Sequence, residues 1–123
     1  MPRRSERDAE RFLPLSPPMF HVLVALAGHD LHGWAIMKEV SEATEGRIHL
    51  SPGTLYGLIK RLLRDGLIAE SDERPPSHWD DSRRRYYALT GLGRRVARAE
   101  ADRMERSLKV ARARRSLAPS AKS

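Results

Sequence analysis

The chain has 123 residues and no cysteine, and its 23 lysine and arginine residues outnumber its 16 acidic residues to give a formal net charge of +7. This length favours one domain with one modest core, and the lack of cysteine excludes disulfide scaffolds and thiolate zinc sites such as zinc fingers. The positive charge indicates a polyanionic partner, with nucleic acid the first candidate and an anionic membrane surface the second.

Both ends of the chain are predicted to lie outside the folded unit. Residues 1–14 are mostly charged and offer only Phe12 and Leu13 for burial, which predicts a flexible N-terminal arm. Residues 117–123 are expected to form a disordered tail. The N-terminus lacks the apolar segment of a signal peptide, and no apolar run approaches the roughly 20 residues that span a bilayer. We therefore expect a cytoplasmic protein with no membrane partner.

Two helices are predicted in the first part of the folded unit. Ser16 precedes two prolines, which is a helix cap followed by proline in the first turn, and the apolar run 19–27 follows. A second helix is predicted from about residue 31 to residue 44, with Trp34 in its apolar stripe, so we interpret Trp34 as a core residue. We interpret His32 as a turn residue that caps this second helix.

The third predicted helix has the clearest start and stop signals. Ser51 is a cap followed by a proline, and Gly66 is the left-handed stop. One face is apolar, and the opposite face is cationic or small. The apolar face consists of Leu55, Leu58, Ile59, Leu62 and Leu63, and the opposite face of Gly53, Gly57, Lys60, Arg61 and Arg64, with Tyr56 on the flank between them.

A hairpin and a long helix complete the predicted order. Residues 67–71 and 83–89 read as strands joined by a polar loop, and a short first strand is expected at residues 48–50. Thr90 caps a final helix that runs to about residue 115. A helix with such a narrow apolar stripe is only marginally stable alone in water, which favours pairing with a second copy of the helix. The predicted dimerisation residues are Leu92, Val96, Met104, Leu108 and Ala111.

This order of elements predicts a mainly α fold with a small β-hairpin wing: a winged helix-turn-helix followed by a long C-terminal dimerisation helix. The DNA-binding domain would span residues 15–90 and the dimerisation helix residues 91–116. The third helix would enter the major groove, whose width of about 12 Å admits one α-helix. The predicted DNA contacts on this helix and on the wing are Ser51, Thr54, Lys60, Arg61, Arg64, Arg83 and Arg84.

These cations also have interpretations that do not involve DNA binding. The basic face of the third helix could be merely solvated, and residues 83–85 could protect a strand edge against aggregation. The arginines of the last helix are interpreted as solvated charges rather than extra phosphate contacts.

Several motifs together resemble the PadR family of bacterial transcriptional regulators. They are Leu-His-Gly-Trp at residues 31–34, Leu-Ser-Pro-Gly-Thr-Leu-Tyr at 50–56, and Arg-Arg-Tyr-Tyr-Ala-Leu-Thr at 84–90. The similarity covers roughly residues 17–113. It implies a homodimeric repressor that binds an inverted-repeat operator and is released by a signal, with the C-terminal helix forming the dimer. It also implies that Tyr56 lies at the DNA-facing side of the recognition helix.

The chain departs from that family's pattern at Gly57, in a rather long wing with Pro75, Pro76 and Trp79, and in its last helix. Gly57 stands where the family often has proline. The last helix contains no aromatic residue, whereas some short-tailed relatives use one to stack planar drugs in a pore at the dimer centre. That ligand mode is therefore not expected, and any small-molecule effector is unknown.

Catalysis, cofactors and metals are not expected. The sequence holds no nucleophile elbow, no glycine-rich phosphate loop and no paired carboxylates in an apolar setting, so we do not expect an enzyme. The five histidines lack metal-ligand spacing, with His29 and His32 the best of a poor set. The alternative function is a winged-helix module that binds a protein or an anionic surface without sequence-specific DNA binding.

Overall fold

The computed structural model describes residues 4–71 and 85–120 of the chain. Within them lie five α-helices, a three-stranded sheet and a short 3₁₀ turn. In chain order these are α1 (Arg4–Glu10), α2 (Pro17–Gly28), β1 (Leu31–His32), α3 (Gly33–Ala43), α4 (Pro52–Arg64), β2 (Ile68–Ser71), β3 (Tyr86–Leu89), α5 (Gly91–Arg112) and the turn Arg115–Leu117. No helix in these two stretches is both long and apolar enough to cross a membrane.

Side-chain caps fix the starts of four helices. Ser16, Ser51 and Thr90 each accept a hydrogen bond from the backbone N–H three residues further on, as predicted, at 3.3, 3.3 and 2.9 Å. His32 caps α3 in the same way, because its Nδ1 accepts from the N–H of Ala35 at 3.3 Å. Each cap satisfies a backbone donor that would otherwise have no partner in the first helical turn.

The sheet is antiparallel, with strand order β1-β3-β2. Its first strand is Leu31–His32, which pairs with Tyr87 and Tyr86, so the prediction of a first strand at residues 48–50 is wrong. The backbone there is tied to the end of α3 instead, because the Ile48 N–H donates to the Thr44 hydroxyl at 3.0 Å.

The core lies among α2, α3, α4, the sheet and the first half of α5. Its most buried side chains are aliphatic, and fully burying each of them contributes about 1.5–3 kcal/mol relative to leaving it exposed. They include Val22, Leu23, Ile36, Val40, Leu55, Leu62, Leu67, Ile68 and Val96. The leucine face predicted for the third helix is therefore a core face.

The N-terminal segment differs from the flexible arm expected at residues 1–14. Residues 4–10 form α1, which packs against α5, and Ala9 is buried at 1% exposure. The prediction missed this because the segment has little apolar surface of its own; α5 supplies its packing partner. Residues 1–3 lie outside the described residues.

The C-terminal segment also retains local order. Leu117 ends the 3₁₀ turn, and its carbonyl accepts a hydrogen bond from the Arg112 guanidinium at 2.9 Å. The predicted start of the disordered tail, at Leu117, is therefore too early, because Leu117 belongs to the 3₁₀ turn. Residues 121–123 lie outside the described residues.

Candidate nucleic-acid interface

Helix α4 separates anchoring residues from exposed residues. Leu55, Ile59 and Leu62 are buried against the core, with Leu58 and Leu63 partly buried beside them. Every member of the predicted opposite face is exposed, as are Tyr56 on its flank and Thr54 in the first turn. The exposed residues are Gly53, Thr54, Tyr56, Gly57, Lys60, Arg61 and Arg64. The structure therefore brings seven residues together on one solvent-facing surface, hereafter the α4 face.

Two exposed hydroxyls lie at the start of α4. The Ser51 hydroxyl accepts from the Thr54 N–H and donates to the Thr54 hydroxyl, at 3.3 and 3.0 Å. The Thr54 hydroxyl can in turn donate to an external acceptor. The positive end of the helix dipole lies at the same place, so the local electrostatics favour an anion.

The cations of the α4 face are free to meet a partner. Lys60 and Arg61 have no ion-pair partner among residues 4–71 and 85–120. Arg64 lies 3.5 Å from the neighbouring Asp65 carboxylate, with most of its side chain exposed. An exposed pair of this kind contributes little to stability, so it does not prevent Arg64 from binding an anion.

Tyr56 connects the α4 face to the start of α3. A Cβ atom at Gly33 would lie 2.8 Å from the Tyr56 hydroxyl oxygen and 3.2 Å from ring atom Cζ. The ring therefore lies directly on the Gly33 backbone, while 54% of Tyr56 remains exposed. This contact explains the glycine of the His-Gly motif, since any side chain at Gly33 would push the ring away.

The base of the wing is tightly packed. Tyr87 is buried in β3, and burial, followed by the nearby Glu70 carboxylate and Tyr56, raises its pKa despite the opposing charge of Arg85. Arg85 lies 3.3 Å from Glu70 across the hairpin, and both side chains are exposed. Arg85 lies just before β3, where Tyr86 and Tyr87 are paired with β1 on one side and β2 on the other. Arg83, Arg84 and the wing loop with Trp79 lie outside the described residues.

Trp34 is exposed, so its interpretation as a core residue is wrong. It is 69% accessible, although it lies in the first turn of α3. The core face of α3 consists of Gly33, Ile36 and Val40, which recur at helical spacing. Trp34 instead lies one helical turn before Lys38, on the same side of α3. This four-residue spacing is the sequence signal that predicts exposure of Trp34.

The predicted dimerisation residues divide into two groups. Val96 is fully buried inside the protomer, so it is not available to a partner, and Leu92 is partly buried against the same core. Met104 and Leu108 are 38% and 53% exposed, and Ala111 is partly buried. Val96 is buried because α1 and α2 pack against α5.

His32 has a structural role as the helix cap that the sequence predicts. The ring of His32 caps α3 and meets the Tyr86 ring edge-on at 5.3 Å. Within residues 4–71 and 85–120, histidine, aspartate and glutamate side chains form no group of three or more that could hold a metal ion.

Several known proteins resemble this chain. A PadR family transcription regulator from hypervirulent Clostridium difficile R20291 has a TM-score of 0.66 at 26% identity, over 77% of this chain and 94% of that one. A PadR-like transcription factor from Bacteroides fragilis has a TM-score of 0.56 at 29% identity, over 75% and 84%.

A curated relative is more similar in sequence but much longer. It is an uncharacterized 37.1 kDa protein in transposon TN4556 of Streptomyces fradiae, 36% identical over 85 residues. The match covers 69% of this chain and 22% of the relative.

The decisive match is to a family profile. The profile of the PadR-like family of transcriptional regulators matches residues 22–99, more than half of the chain, and this range includes α3, α4, the described sheet and the buried half of α5. The solved PadR structures share this winged-helix fold. The chain belongs to the PadR-like family of transcriptional regulators.

Proposed function

We propose that this protein is a transcriptional repressor that binds an inverted-repeat DNA operator as a homodimer. The observation that carries the proposal is the division of α4 into a buried leucine face and an exposed cationic α4 face. Family membership supports the same role. In this role the protein needs no catalytic group or cofactor, and it acts in the cytoplasm.

The α4 face has the shape and charge that the major groove requires. Gly53 and Gly57 have open space around them, so the helix backbone can approach the bases closely. Lys60 and Arg64 can reach guanine O6 and N7, while Ser51 and Thr54 contact phosphates. Two further predicted phosphate contacts, Arg83 and Arg84, follow the predicted wing tip in the sequence.

The dimer would form along the second half of α5. Met104 and Leu108 are exposed there on a helix that is otherwise rich in charge, and a second copy of α5 would cover them. A two-fold dimer places its recognition helices about 34–36 Å apart, which is one turn of DNA. We propose that an effector of unknown chemistry releases the dimer from its operator.

The first test is selection of binding sites from random duplexes by the purified protein. The expected result is a pair of inverted half-sites separated by one helical turn. The binding module that the sequence leaves as an alternative gives a different result: sedimentation with anionic vesicles and no enriched DNA sequence. A reporter gene placed behind the selected site then separates repression from activation.

The second test is the salt dependence of DNA affinity, measured by fluorescence anisotropy. If about six phosphates are neutralised, affinity should fall by roughly 10³-fold between about 50 and about 200 mM salt. The triple variant Lys60→Ala, Arg61→Ala, Arg64→Ala should bind weakly with a shallower slope. Lys109→Ala, which removes an exposed cation near the end of α5, is the matched control. A flat response of the unmodified protein would contradict the proposed phosphate contacts.

A further inference from the structure

We infer that Trp34 and Lys38 of α3 form a second DNA contact, to the sugar-phosphate strand that borders the groove entered by α4. This inference rests on the proposed DNA-binding function and adds a separate contact surface to it. None of the DNA contacts predicted from the sequence includes these two residues.

Both side chains are available on the outer side of α3. Trp34 is 69% exposed, an unusual position for a large apolar ring that carries one N–H donor. Lys38 follows one helical turn later and is exposed. Within residues 4–71 and 85–120, Lys38 has no hydrogen-bond or ion-pair partner. An indole and an uncompensated ammonium group therefore face solvent side by side.

These residues border a groove that reaches the start of α4. The groove has a volume of about 590 Å³, and its opposite wall is the segment 49–52. Ser51 lines the groove and is hydrogen-bonded to Thr54 of the α4 face, so the groove and that face are adjacent. On another side, the contact of Gly33 with Tyr56 joins the start of α3 to that face. A strand lying in the groove would touch both helices at once.

The lining of the groove fits a sugar-phosphate strand. Met37 and Pro52 offer apolar surface to deoxyribose, while Lys38 and the indole N–H can donate to phosphate oxygens. Glu42 at the rim is the one acidic side chain among the lining residues. The Lys38 ammonium and the indole N–H are two donors to phosphate against this single carboxylate. Because the lining includes these donors, it fits a sugar-phosphate strand better than a purely apolar ligand.

The two contacts predict different changes in binding, measured by anisotropy on the selected operator. Lys38→Ala should reduce the slope of the salt dependence by about 1 and weaken binding to all duplexes equally. Trp34→Ala should weaken binding about tenfold, the scale of a hydrogen bond to a charged group, with the slope unchanged. Trp34→Phe, which keeps an aromatic ring without the N–H, should fall between Trp34→Ala and the unmodified protein.

Controls keep these results specific. Circular dichroism should show each variant folded, as expected for exposed positions. Lys109→Ala should keep the unmodified affinity and slope. If it weakens binding as much as Lys38→Ala does, the effect is one of overall charge and the inference fails. If the unmodified protein binds DNA while both α3 variants match it, the inference fails and the proposed function stands.

Fluorescence gives a readout that does not depend on affinity. The chain has two tryptophans, so Trp79→Phe leaves Trp34 as the only one. In this variant, saturating duplex DNA should protect the Trp34 emission from acrylamide quenching. Unchanged quenching at saturation would show that Trp34 stays in solvent in the complex, which would overturn the inference. Failure of the unmodified protein to bind any duplex would instead overturn the proposed function.

Discussion

The carboxylate of Glu100 accepts a hydrogen bond of 2.5 Å from the backbone N–H of Leu15, a residue 85 positions earlier in the chain. The Arg103 guanidinium binds the other carboxylate oxygen. Burial pushes the pKa of Glu100 upward, but these two hydrogen bonds and the charge of Arg103 together hold it below its usual value. Glu100 is 1% exposed, so one buried anion ties the N-terminal segment to α5.

The first prediction concerns removal of this charge. Glu100→Gln should lower the free energy of unfolding by about 1–2 kcal/mol, because the buried group loses its charge-assisted hydrogen bonds. Arg103 is partly exposed and can be solvated, which limits the loss. Urea denaturation followed by circular dichroism measures it. Glu105→Gln is the control, since Glu105 forms an exposed pair with Lys109 and should change stability by less than about 0.5 kcal/mol.

The contribution of Glu100 should depend on pH in a defined direction. Its pKa is lower in the folded state than in the unfolded state, where it is about 4.3. The stabilisation is therefore present above the unfolded pKa and is lost as the pH falls through the folded pKa. The stability gap between the unmodified protein and Glu100→Gln should shrink as the pH falls below the unfolded pKa of about 4.3 towards the lower folded pKa. A gap that widens on acidification would contradict the lowered pKa.

The second prediction concerns Gly93, where the start of α5 meets the end of β3. A Cβ atom there would lie 2.0 Å from the Leu67 carbonyl oxygen and 2.8 Å from the Leu89 side chain. Backbone must move to admit it, so Gly93→Ala should destabilise the fold by about 3 kcal/mol. Gly91→Ala is the control, because its Cβ would meet only the Arg95 side chain at 3.6 Å. Equal thermal midpoints for the two variants would contradict this packing.

The third prediction separates stability from DNA affinity at Gly57. Nothing lies within 4 Å of a Cβ at this position, and alanine favours helix more than glycine does, so Gly57→Ala should stabilise by up to about 1 kcal/mol. The added methyl group would also hold the α4 backbone away from the groove floor. We therefore expect a higher thermal midpoint together with weaker operator binding. A variant that gains stability and keeps full affinity would show that close approach at Gly57 is unnecessary.

The fourth prediction assigns Arg64 a role in reading sequence. If its guanidinium binds a guanine edge, Arg64→Ala should cost about 1–3 kcal/mol and relax the preference at one base position of the selected site. Binding measured on a set of single-base operator variants tests this. A uniform loss across all of them would instead make Arg64 a phosphate contact.

The fifth prediction concerns the dimer. Leu108 is half exposed on the second half of α5, so Leu108→Asp should leave the protomer folded while placing a charge in the proposed interface. Sedimentation should then show a monomer that binds the full operator weakly. Val110→Asp is the control, since Val110 is also exposed but lies two residues on, around the helix from Leu108. If both variants stay dimeric, the interface lies elsewhere.

Local signals allowed much of the fold to be predicted. The caps at Ser16, Ser51 and Thr90 act within three residues of themselves, so they can be read directly from the sequence. Gly66 adopts the left-handed conformation expected of the stop after α4, with φ of +76°. Helical periodicity likewise separates Gly53, Gly57, Lys60, Arg61 and Arg64 of the α4 face from the leucines.

Features that depend on distant partners were missed. The two-residue strand Leu31–His32 has no pattern of its own and exists because β3 lies beside it. The burial of Ala9 requires α5, and the burial of Val96 requires α2 and its neighbours. Glu100 reads as an ordinary surface charge until the Leu15 backbone is placed against it. In each case the partner lies far away in sequence.

The division of α4 into a leucine face and a solvent-facing side also bears on how such a protein can diverge. Substitutions at Lys60, Arg61 or Arg64 touch no core side chain, so they leave folding stability nearly unchanged. In a DNA-binding role, duplicated copies of this gene could then acquire new operators one residue at a time. Selection would remove substitutions of the leucines, while substitutions on the opposite side would accumulate and give new DNA targets.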